Sequence, residues 1–331
     1  MNGHRVMVTG GAGYVGAVLV PRLLSLGYGV TVLDLMLYGD DVIDDHVNLT
    51  VVKGDIRDHT LICEILPGHD IVIHLACISN DPSFELDPAM GQSINLDAFR
   101  PLVEASRDLG VERFIYASSS SVYGVSNEPS VHEDVPLVPL TDYSKFKAEC
   151  EEILAEYSSD DFCVVTARPA TVCGYSRRQR LDVVVNIFSN LAYHNRFISV
   201  FGGSQIRPNI HIEDMVDAYI LLLESPKEVV TGRIYNVGLE NQTVLELAET
   251  VRSVMGEDVV LDVTPTDDPR SYRISSERIE RELGFKPSRT IKMAEEDMKR
   301  AFEANLLPDS LSSDRYFNIQ RMQSFWKEEE L

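Results

Sequence analysis

A tyrosine and a lysine four residues apart form the pair in this sequence best suited to acid–base chemistry. On a helix, Tyr143 and Lys147 share one face, about one turn apart. A phenol has an ordinary pKa of about 10 and is a poor base at neutral pH, but an adjacent ammonium stabilises its phenolate. The spacing therefore indicates a proton-transfer pair, although Tyr-x-x-x-Lys also occurs often by chance.

A run of hydroxyl residues, Ser118 to Ser121, lies upstream of this pair at the end of a predicted strand. The carboxyl ends of parallel strands face the ligand crevice of an open α/β sheet. One of these serines is therefore expected to orient a substrate hydroxyl and to relay its proton. This placement distinguishes Tyr143 and Lys147 from a chance match.

A glycine-rich loop near the start of the chain predicts a dinucleotide site. Gly10, Gly13 and Gly16 follow a predicted strand and open a predicted helix, so that the backbone can approach a pyrophosphate at the helix N-terminus. Asp34 ends the second predicted strand, where a carboxylate accepts hydrogen bonds from a ribose and repels a 2′-phosphate. We therefore expect NAD rather than NADP. The alternative is a tight turn followed by an ordinary strand-end aspartate.

Further cofactor contacts are expected around this loop and at the next two strand ends. Tyr14 and Val15 belong to the loop itself. Asp55 and Ile56 follow the third predicted strand, near the expected adenine edge, and Leu75 and Ala76 end the fourth. For these last four residues a purely structural role is as good an interpretation. The candidate cofactor-binding set also includes Asn95, Ser118, Arg168 and the pair Tyr143 and Lys147.

Short β-branched apolar runs alternate with amphipathic stretches over the first 170 residues, which predicts an α/β fold with a doubly wound parallel (Rossmann) sheet. Strands are predicted at 6–9, 30–33, 49–53, 71–75, 114–118 and 164–168. Helices are predicted at 15–26, 59–66, 95–109 and 143–157. The alternation breaks after Arg168, so a smaller C-terminal α/β domain is expected at 171–210 and 239–331, while about 211–238 returns to the main sheet. The tail up to Leu331 is left unassigned.

Composition excludes several other classes of function. The net charge of −22 disfavours binding to nucleic acid or to anionic membranes. Five cysteines without a C-x-x-C spacing argue against a disulfide framework and a zinc site, so no metal is expected. The apolar start is only as long as a strand, which argues against a signal peptide or a membrane span. A cytoplasmic location is therefore expected.

Together these motifs resemble the extended short-chain dehydrogenase/reductases, and within them the NAD-dependent epimerase/dehydratase family that acts on nucleotide sugars. The resemblance covers about residues 4–300. The segments that carry it are the glycine loop 8–16, Asp34, Asp55, His74 to Ala76, Asn95, the serine run that closes with Val122-Tyr123-Gly124, and Tyr143 to Lys147.

The resemblance implies specific catalytic roles. Ser119 takes the place of the catalytic hydroxyl, Ser121 is a second hydroxyl nearby, Tyr143 is the base, and Lys147 is its partner. The family's 4,6-dehydratases carry an Asp-Glu pair just after that hydroxyl, where this chain has Ser120-Ser121. Elimination of water is therefore not expected.

The C-terminal domain is expected to bind the nucleotide sugar. Arg178 and Arg180 belong to a loop with three arginines, which suits phosphate oxygens but is equally typical of a solvated surface or an oligomer contact. By resemblance, Asn186, Arg207 and Arg270 bind the nucleotide diphosphate, and Ser120 contacts the substrate. A narrower resemblance, over 176–188, is to polysaccharide-pathway enzymes that oxidise C4 of a GDP-linked sugar.

The expected function is that of an NAD-dependent epimerase, which oxidises the sugar at C4 and re-reduces the 4-keto intermediate. The sequence leaves open a net 4-dehydrogenase or 4-ketoreductase, which shares the first half-reaction, and a non-catalytic NAD-binding regulator. The intact Ser119, Tyr143 and Lys147 set disfavours the regulator. The resemblance also implies a homodimer that pairs helices near 95–109 and 143–157.

Overall fold

The computed structural model describes residues 3–79, 86–126, 128–267 and 271–329. Its centre is a seven-stranded parallel sheet with the strand order β10-β6-β5-β4-β1-β2-β3. These strands are β1 Arg5–Thr9, β2 Gly29–Asp34, β3 Leu49–Lys53, β4 Ile71–His74, β5 Arg113–Ala117, β6 Cys163–Pro169 and β10 Arg233–Val237. The order reverses at β1, so a crevice opens between the ends of β1 and β4.

Helices cover both faces of this sheet, as the alternating pattern requires. They are α1 Gly16–Ser25, α2 His59–Ile65, α3 Pro88–Gln92, α4 Phe99–Asp108, α5 Asp142–Ala155, α7 Ile212–Glu224 and α8 Lys227–Val230. A π-helical turn, Ser93–Asp97, joins α3 to α4. One apolar core lies on each face of the sheet, and each contains strand residues of alternating orientation.

A second, smaller lobe follows β6 and has an apolar core of its own. Its strands are β7 Thr171–Cys173, β8 Phe197–Phe201, β9 Ile206–His211, β11 Glu240–Thr243 and β12 Val260–Thr264, which form the small sheets β11-β9-β7 and β12-β8. Its helices are α6 Val184–Asn195, α9 Val244–Met255, α10 Glu277–Leu283, α11 Ile291–Glu303 and α12 Asn318–Glu329.

The expected α/β class is confirmed, and the six strands predicted for the first 170 residues all form, each within one residue of its predicted ends. The return of the chain to the main sheet at β10 is also confirmed. One prediction for the helices was incomplete, because 95–109 is a π-helical turn followed by α4. The described part of the tail, which the sequence left unassigned, contains α12, and Arg321 of this helix bonds the backbone of Leu37 in the loop after β2.

Candidate active site

A cavity of about 500 Å³ lies at the carboxyl edge of the main sheet, between the sheet and the lobe. Most of the predicted site residues line it. They are Gly10, Gly13, Tyr14, Val15, Gly16, Asp34, Asp55, Ile56, Leu75, Ala76, Ser118, Ser119, Ser120, Ser121, Tyr143, Lys147, Arg178, Arg180 and Arg207. The fold thus brings the two predicted halves of the site, the glycine loop and the Tyr-Lys pair, into one cavity.

The glycine loop is held so close to its neighbours that side chains do not fit. Gly10 has φ +74°, and a Cβ there would lie 2.6 Å from the backbone nitrogen of Ala76. A Cβ on Gly16 would lie 2.4 Å from the carbonyl oxygen of Gly11. The loop therefore passes directly from β1 into α1 and leaves the helix N-terminus facing the cavity, where a pyrophosphate binds favourably.

Asp34 is fixed in orientation at the end of β2. Its two carboxylate oxygens accept backbone hydrogen bonds from Ala12 (3.0 Å) and Met36 (2.8 Å). Burial raises the pKa of Asp34, and these two hydrogen bonds oppose that change. A carboxylate locked in this way faces the cavity with lone pairs left for ribose hydroxyls.

Tyr143 and Lys147 project from the first turns of α5, whose start is set by a capping box between Thr141 and Ser144. The Nζ of Lys147 donates a hydrogen bond to the carbonyl oxygen of Ala117 (2.6 Å) and lies 5.9 Å from the centre of the Tyr143 ring. This bond anchors the ammonium at the end of β5. The ammonium therefore approaches the phenol from a fixed position.

A buried, neutral histidine lies close to Lys147. His74 lies behind it at the end of β4, and burial, with the positive charge of Lys147, lowers the pKa of His74 to about 3. The imidazole is therefore neutral and pairs with the hydroxyl of Thr9 (2.7 Å). Ser119 and Ser121 face the same cavity, with their Oγ atoms 2.9 Å apart, so two hydroxyls are available to a substrate.

Two of the predicted cofactor residues lie behind the cavity and do not line it. Arg168 is buried in an ion pair with Glu151 of α5, with a separation of 2.5 Å between Nη2 and Oε2. Asn95 is buried and bonds both the backbone nitrogen and the carbonyl oxygen of Ile78, at 2.8 and 2.9 Å. Ile78 itself lines the cavity. In this structure Arg168 and Asn95 are therefore connected to the cavity only through neighbouring residues.

The loop between β7 and α6 (174–183, here called the arginine loop) holds two of its three arginines away from solvent. Arg178 is buried and Arg180 is largely buried, whereas Arg177 is exposed and pairs with Asp44. The side chain of Arg178 is stacked on Tyr38, 3.5 Å from the ring centre. Arg180 pairs with Asp182 (2.7 Å between Nε and Oδ1), and its Nη2 is buried without a hydrogen-bond partner in the described chain. Arg180 also lies within electrostatic range of Tyr143. A solvated surface loop is therefore ruled out for Arg178 and Arg180.

The remaining predicted substrate residues have different positions. Ser120 bonds the hydroxyl of Tyr272 (3.1 Å). Asn186 is buried behind the cavity, where it accepts from the backbone nitrogen of Gly174 (3.0 Å) and donates to the hydroxyl of Tyr14 (3.0 Å). It therefore holds the arginine loop against the glycine loop. Arg270 lies outside the described residues.

Sequence reasoning missed several residues that line the cavity. The most informative are Tyr38, Tyr272, Asn318, Met322 and Phe325. The last three belong to α12, and the spacing of Met322 and Phe325 with Ile319 at intervals of three residues is a helical apolar stripe that the sequence does contain. Tyr38 and Tyr272 carry no local pattern of this kind.

Neither a metal centre nor a membrane span is found in the parts of the chain described. In those ranges no three His, Cys, Asp or Glu side chains group in a way that could hold a metal ion. Among the same residues, no helix has the length and apolar character needed to cross a bilayer.

Comparisons with known proteins agree with this architecture. A model of the NAD dependent epimerase/dehydratase family matches residues 6–238. A UDP-glucose 4-epimerase of Lactobacillus helveticus is 28% identical, over 86% of this chain and 92% of that one. A dTDP-D-glucose 4,6-dehydratase of Homo sapiens is 31% identical, over 86% and 85%. The crystal structure of a Thermus thermophilus UDP-glucose 4-epimerase in complex with NAD is 26% identical, with a TM-score of 0.79 over 90% of this chain and 99% of the other.

Proposed function

The chain belongs to the NAD-dependent epimerase/dehydratase family, so it is an enzyme whose cofactor is NAD, and on that premise we propose that it epimerises a nucleotide sugar at C4. The observation that carries this proposal is the convergence of Ser119, Tyr143 and Lys147 on one cavity with the glycine loop and Asp34. A module that only bound NAD would need no phenol beside an ammonium.

Three cavity residues have separate roles in the proposed oxidation at C4. When bound, NAD accepts a hydride from the sugar and returns it. Tyr143 takes the proton of the C4 hydroxyl, and Lys147, anchored on Ala117, stabilises the phenolate that does so. Ser119, paired with Ser121, orients the same hydroxyl. Tyr143 then returns the proton when the 4-keto sugar is reduced from its other face.

The residues beside Ser119 support epimerisation over dehydration. Loss of water from C5 and C6 needs an acid and a base next to the sugar. At the positions where 4,6-dehydratases have Asp-Glu, this chain has Ser120-Ser121, and the hydroxyl of Ser120 is bonded to Tyr272. Neither serine is suited to that proton transfer. The chain is slightly more identical to the human dehydratase than to the Lactobacillus helveticus epimerase, but the residues beside Ser119 favour epimerisation.

The proposal assigns the two halves of the molecule different ligands. The sheet domain, 1–170 with about 211–238, holds NAD, and 171–210 with 239–331 holds the nucleotide sugar. Arg207 and Arg180 both line the cavity on the lobe side, and guanidinium groups suit diphosphate oxygens. The unpartnered Nη2 of Arg180 supports its role, because a buried donor of this kind needs an acceptor.

A homodimer, a cytoplasmic location and a role in polysaccharide biosynthesis complete the proposal, and the family resemblance supports them. Exposed charged groups lie beside the helices α4 and α5 that would pair in the dimer, such as Arg100 of α4 and Glu156 just after α5, linked at 2.7 Å. The interface would therefore be polar, and we expect the dimer to weaken as salt rises, which sedimentation at two salt concentrations can measure.

The test is a panel of UDP-, GDP-, dTDP- and CDP-sugars, assayed with the purified enzyme by product analysis and by absorbance of reduced nicotinamide. A C4 epimer without net absorbance change supports the proposal. Accumulation of NADH or of a ketone would instead identify the enzyme as a net dehydrogenase.

Tyr143→Phe should lower kcat by about 10²–10⁴-fold, because the general base is lost. Tyr193→Phe, in the lobe core, is the matched control and should keep wild-type activity.

A further inference from the structure

The C-terminal helix contributes a wall to the cavity on the side of Asp34. Met322 and Phe325 of α12 line the same cavity as Asp34 and Ile56. Met322 is only 4% exposed and belongs to the same apolar core as Ile56 and Ile78. The adenosine half of a dinucleotide lies on the Asp34 side, because that carboxylate marks the ribose. The helix therefore faces the adenosine half of the site.

A buried asparagine fastens the start of this helix to both walls of the cavity. Asn318 is 2% exposed. Its Oδ1 accepts a hydrogen bond from Nη2 of Arg178 (2.6 Å), and its Nδ2 donates one to Oγ of Ser79 (2.9 Å). Its backbone nitrogen donates to Asp182 (3.1 Å). Ser79 follows β4 on the sheet side, whereas Arg178 and Asp182 belong to the arginine loop, so one residue joins the two sides.

Two further contacts tie the segment to the loop that follows β2. The Nε of Arg321 donates to the carbonyl oxygen of Leu37 (2.5 Å), and Arg315 pairs with Asp41 (2.9 Å). The Arg315 pair is exposed and contributes little to stability by itself. Together with Asn318, however, these contacts stretch the segment 315–325 across the cavity between β2 and the arginine loop.

Arg178 connects this segment to the ligand position. Its Nη2 is bonded to Asn318, its plane lies on Tyr38, and it is within electrostatic range of Asp34. Its Nε and Nη1 are buried and have no hydrogen-bond partner in the described chain. Buried guanidinium nitrogens are costly without an acceptor. A ligand with ribose or phosphate oxygens next to Asp34 would supply one.

We propose that residues 315–325 form a strap that closes the adenosine half of the cofactor site, and that Asn318 and Arg178 couple the strap to bound NAD. A strap of this kind slows release of the cofactor, which suits an epimerase because the same NAD is reduced and then re-oxidised in every turnover. Only the benefit of slow release to an epimerase rests on the proposed function. The strap itself requires only that NAD binds in this cavity.

The first test measures the release of NADH by displacement with excess NAD, followed by nicotinamide fluorescence, in the full-length protein. The double variant Asn318→Ala/Met322→Ala should release NADH at least about tenfold faster, which corresponds to a barrier to release lower by about 1.4 kcal/mol. Gln323→Ala, an exposed position on the same helix, is the matched control and should release NADH at the wild-type rate. Equal release rates in the wild type and a folded double variant would overturn the proposal.

A second measurement needs no variant and covers the case in which the double variant does not fold. Hydrogen exchange of the wild-type peptide that contains 315–325 should slow when NAD is added, because the ligand completes the contacts of Arg178. Unchanged exchange in that peptide, with protection elsewhere in the cavity, would reject the coupling. Neither measurement uses a sugar, so a failed strap is distinguishable from a failed assignment of the reaction.

Discussion

Two buried glutamates, one in the sheet domain and one in the lobe, are held in opposite ways. Glu151 of α5 is paired with Arg168 at 2.5 Å and also accepts from the hydroxyl of Ser118. Glu295 of α11 is fully buried, and neither of its oxygens has a hydrogen-bond partner in the described chain. Burial, followed by the negative charge of Glu240, raises the pKa of Glu295 to about 9. One carboxyl group is ion-paired and hydrogen-bonded, whereas the raised pKa of the other keeps it a neutral acid at pH 7.

The two glutamates are held differently because only Glu151 lies next to residues that line the cavity. Glu151 lies one helical turn after Lys147, and Ser118 directly precedes Ser119. The ion pair with Arg168 therefore fixes α5, the helix that carries Tyr143 and Lys147, relative to both β5 and β6. Glu295 packs near Cys173 in a small apolar cluster away from the cavity. The polar network around Glu151 thus lies where cavity residues have to be held in fixed positions. The protonated Glu295 lies where no cavity residue depends on it.

Removal of the charge on Glu151 should have the largest effect. Glu151→Gln leaves Arg168 buried without a counter-ion, and we expect a loss of about 3–5 kcal/mol in the free energy of unfolding. Urea denaturation measures it. Glu152→Gln, at the exposed neighbouring position of α5, is the control and should change stability by less than about 0.5 kcal/mol. If the two variants were equally stable, the ion pair would not be what holds α5 in place.

Replacement of Glu295 should have the opposite sign. The folded-state pKa of Glu295 lies above its unfolded value, so the unfolded chain loses this proton first, and the folded state is progressively destabilised as pH rises from about 4.3 to about 9. Glu295→Met removes that penalty and should stabilise the protein by about 2–4 kcal/mol at pH 7. The gain should shrink towards zero near pH 4.

Denaturation of Glu295→Met at pH 5 and pH 8 checks the sign of this effect. The exposed Glu303→Met on the same helix is the matched control, and its stability difference from the wild type should be the same at both pH values. A gain for Glu295→Met that did not grow between pH 5 and pH 8 would show that the carboxyl is ionised in the folded state.

The two halves of the molecule also differ in how far the sequence predicts them. The sheet domain follows from local patterns, since each strand is a short apolar run and each loop near the cavity carries a glycine, an acid or a hydroxyl at a fixed place. That is why the glycine loop, Asp34, Tyr143 and Lys147 were predicted, and why they line the cavity. The roles assigned to them stay predictions.

The rest depends on contacts between residues far apart in the chain. Arg168 was included among the predicted cofactor residues, but its ion pair with Glu151 is visible only in three dimensions. Asn318 reaches Ser79 across 239 residues, and no local pattern marks such a bond. The apolar stripe of α12 predicts a helix, whereas its position over the cavity depends on which surfaces the sheet and the arginine loop leave open.

The smallest effect expected in this comparison comes from the outer edge of the Glu151 network. The hydroxyl of Tyr123 accepts from Nη1 of Arg168 (2.7 Å) and donates to Oδ1 of Asn236 (2.7 Å). Tyr123→Phe leaves the ion pair intact and removes only these two bonds, so we expect a loss of about 1–3 kcal/mol. Equilibrium denaturation of Tyr123→Phe and Glu151→Gln under the same conditions ranks their losses in the free energy of unfolding. If Tyr123→Phe cost as much as Glu151→Gln, the network would act as one cooperative unit, and the charge of Glu151 would not be its dominant part.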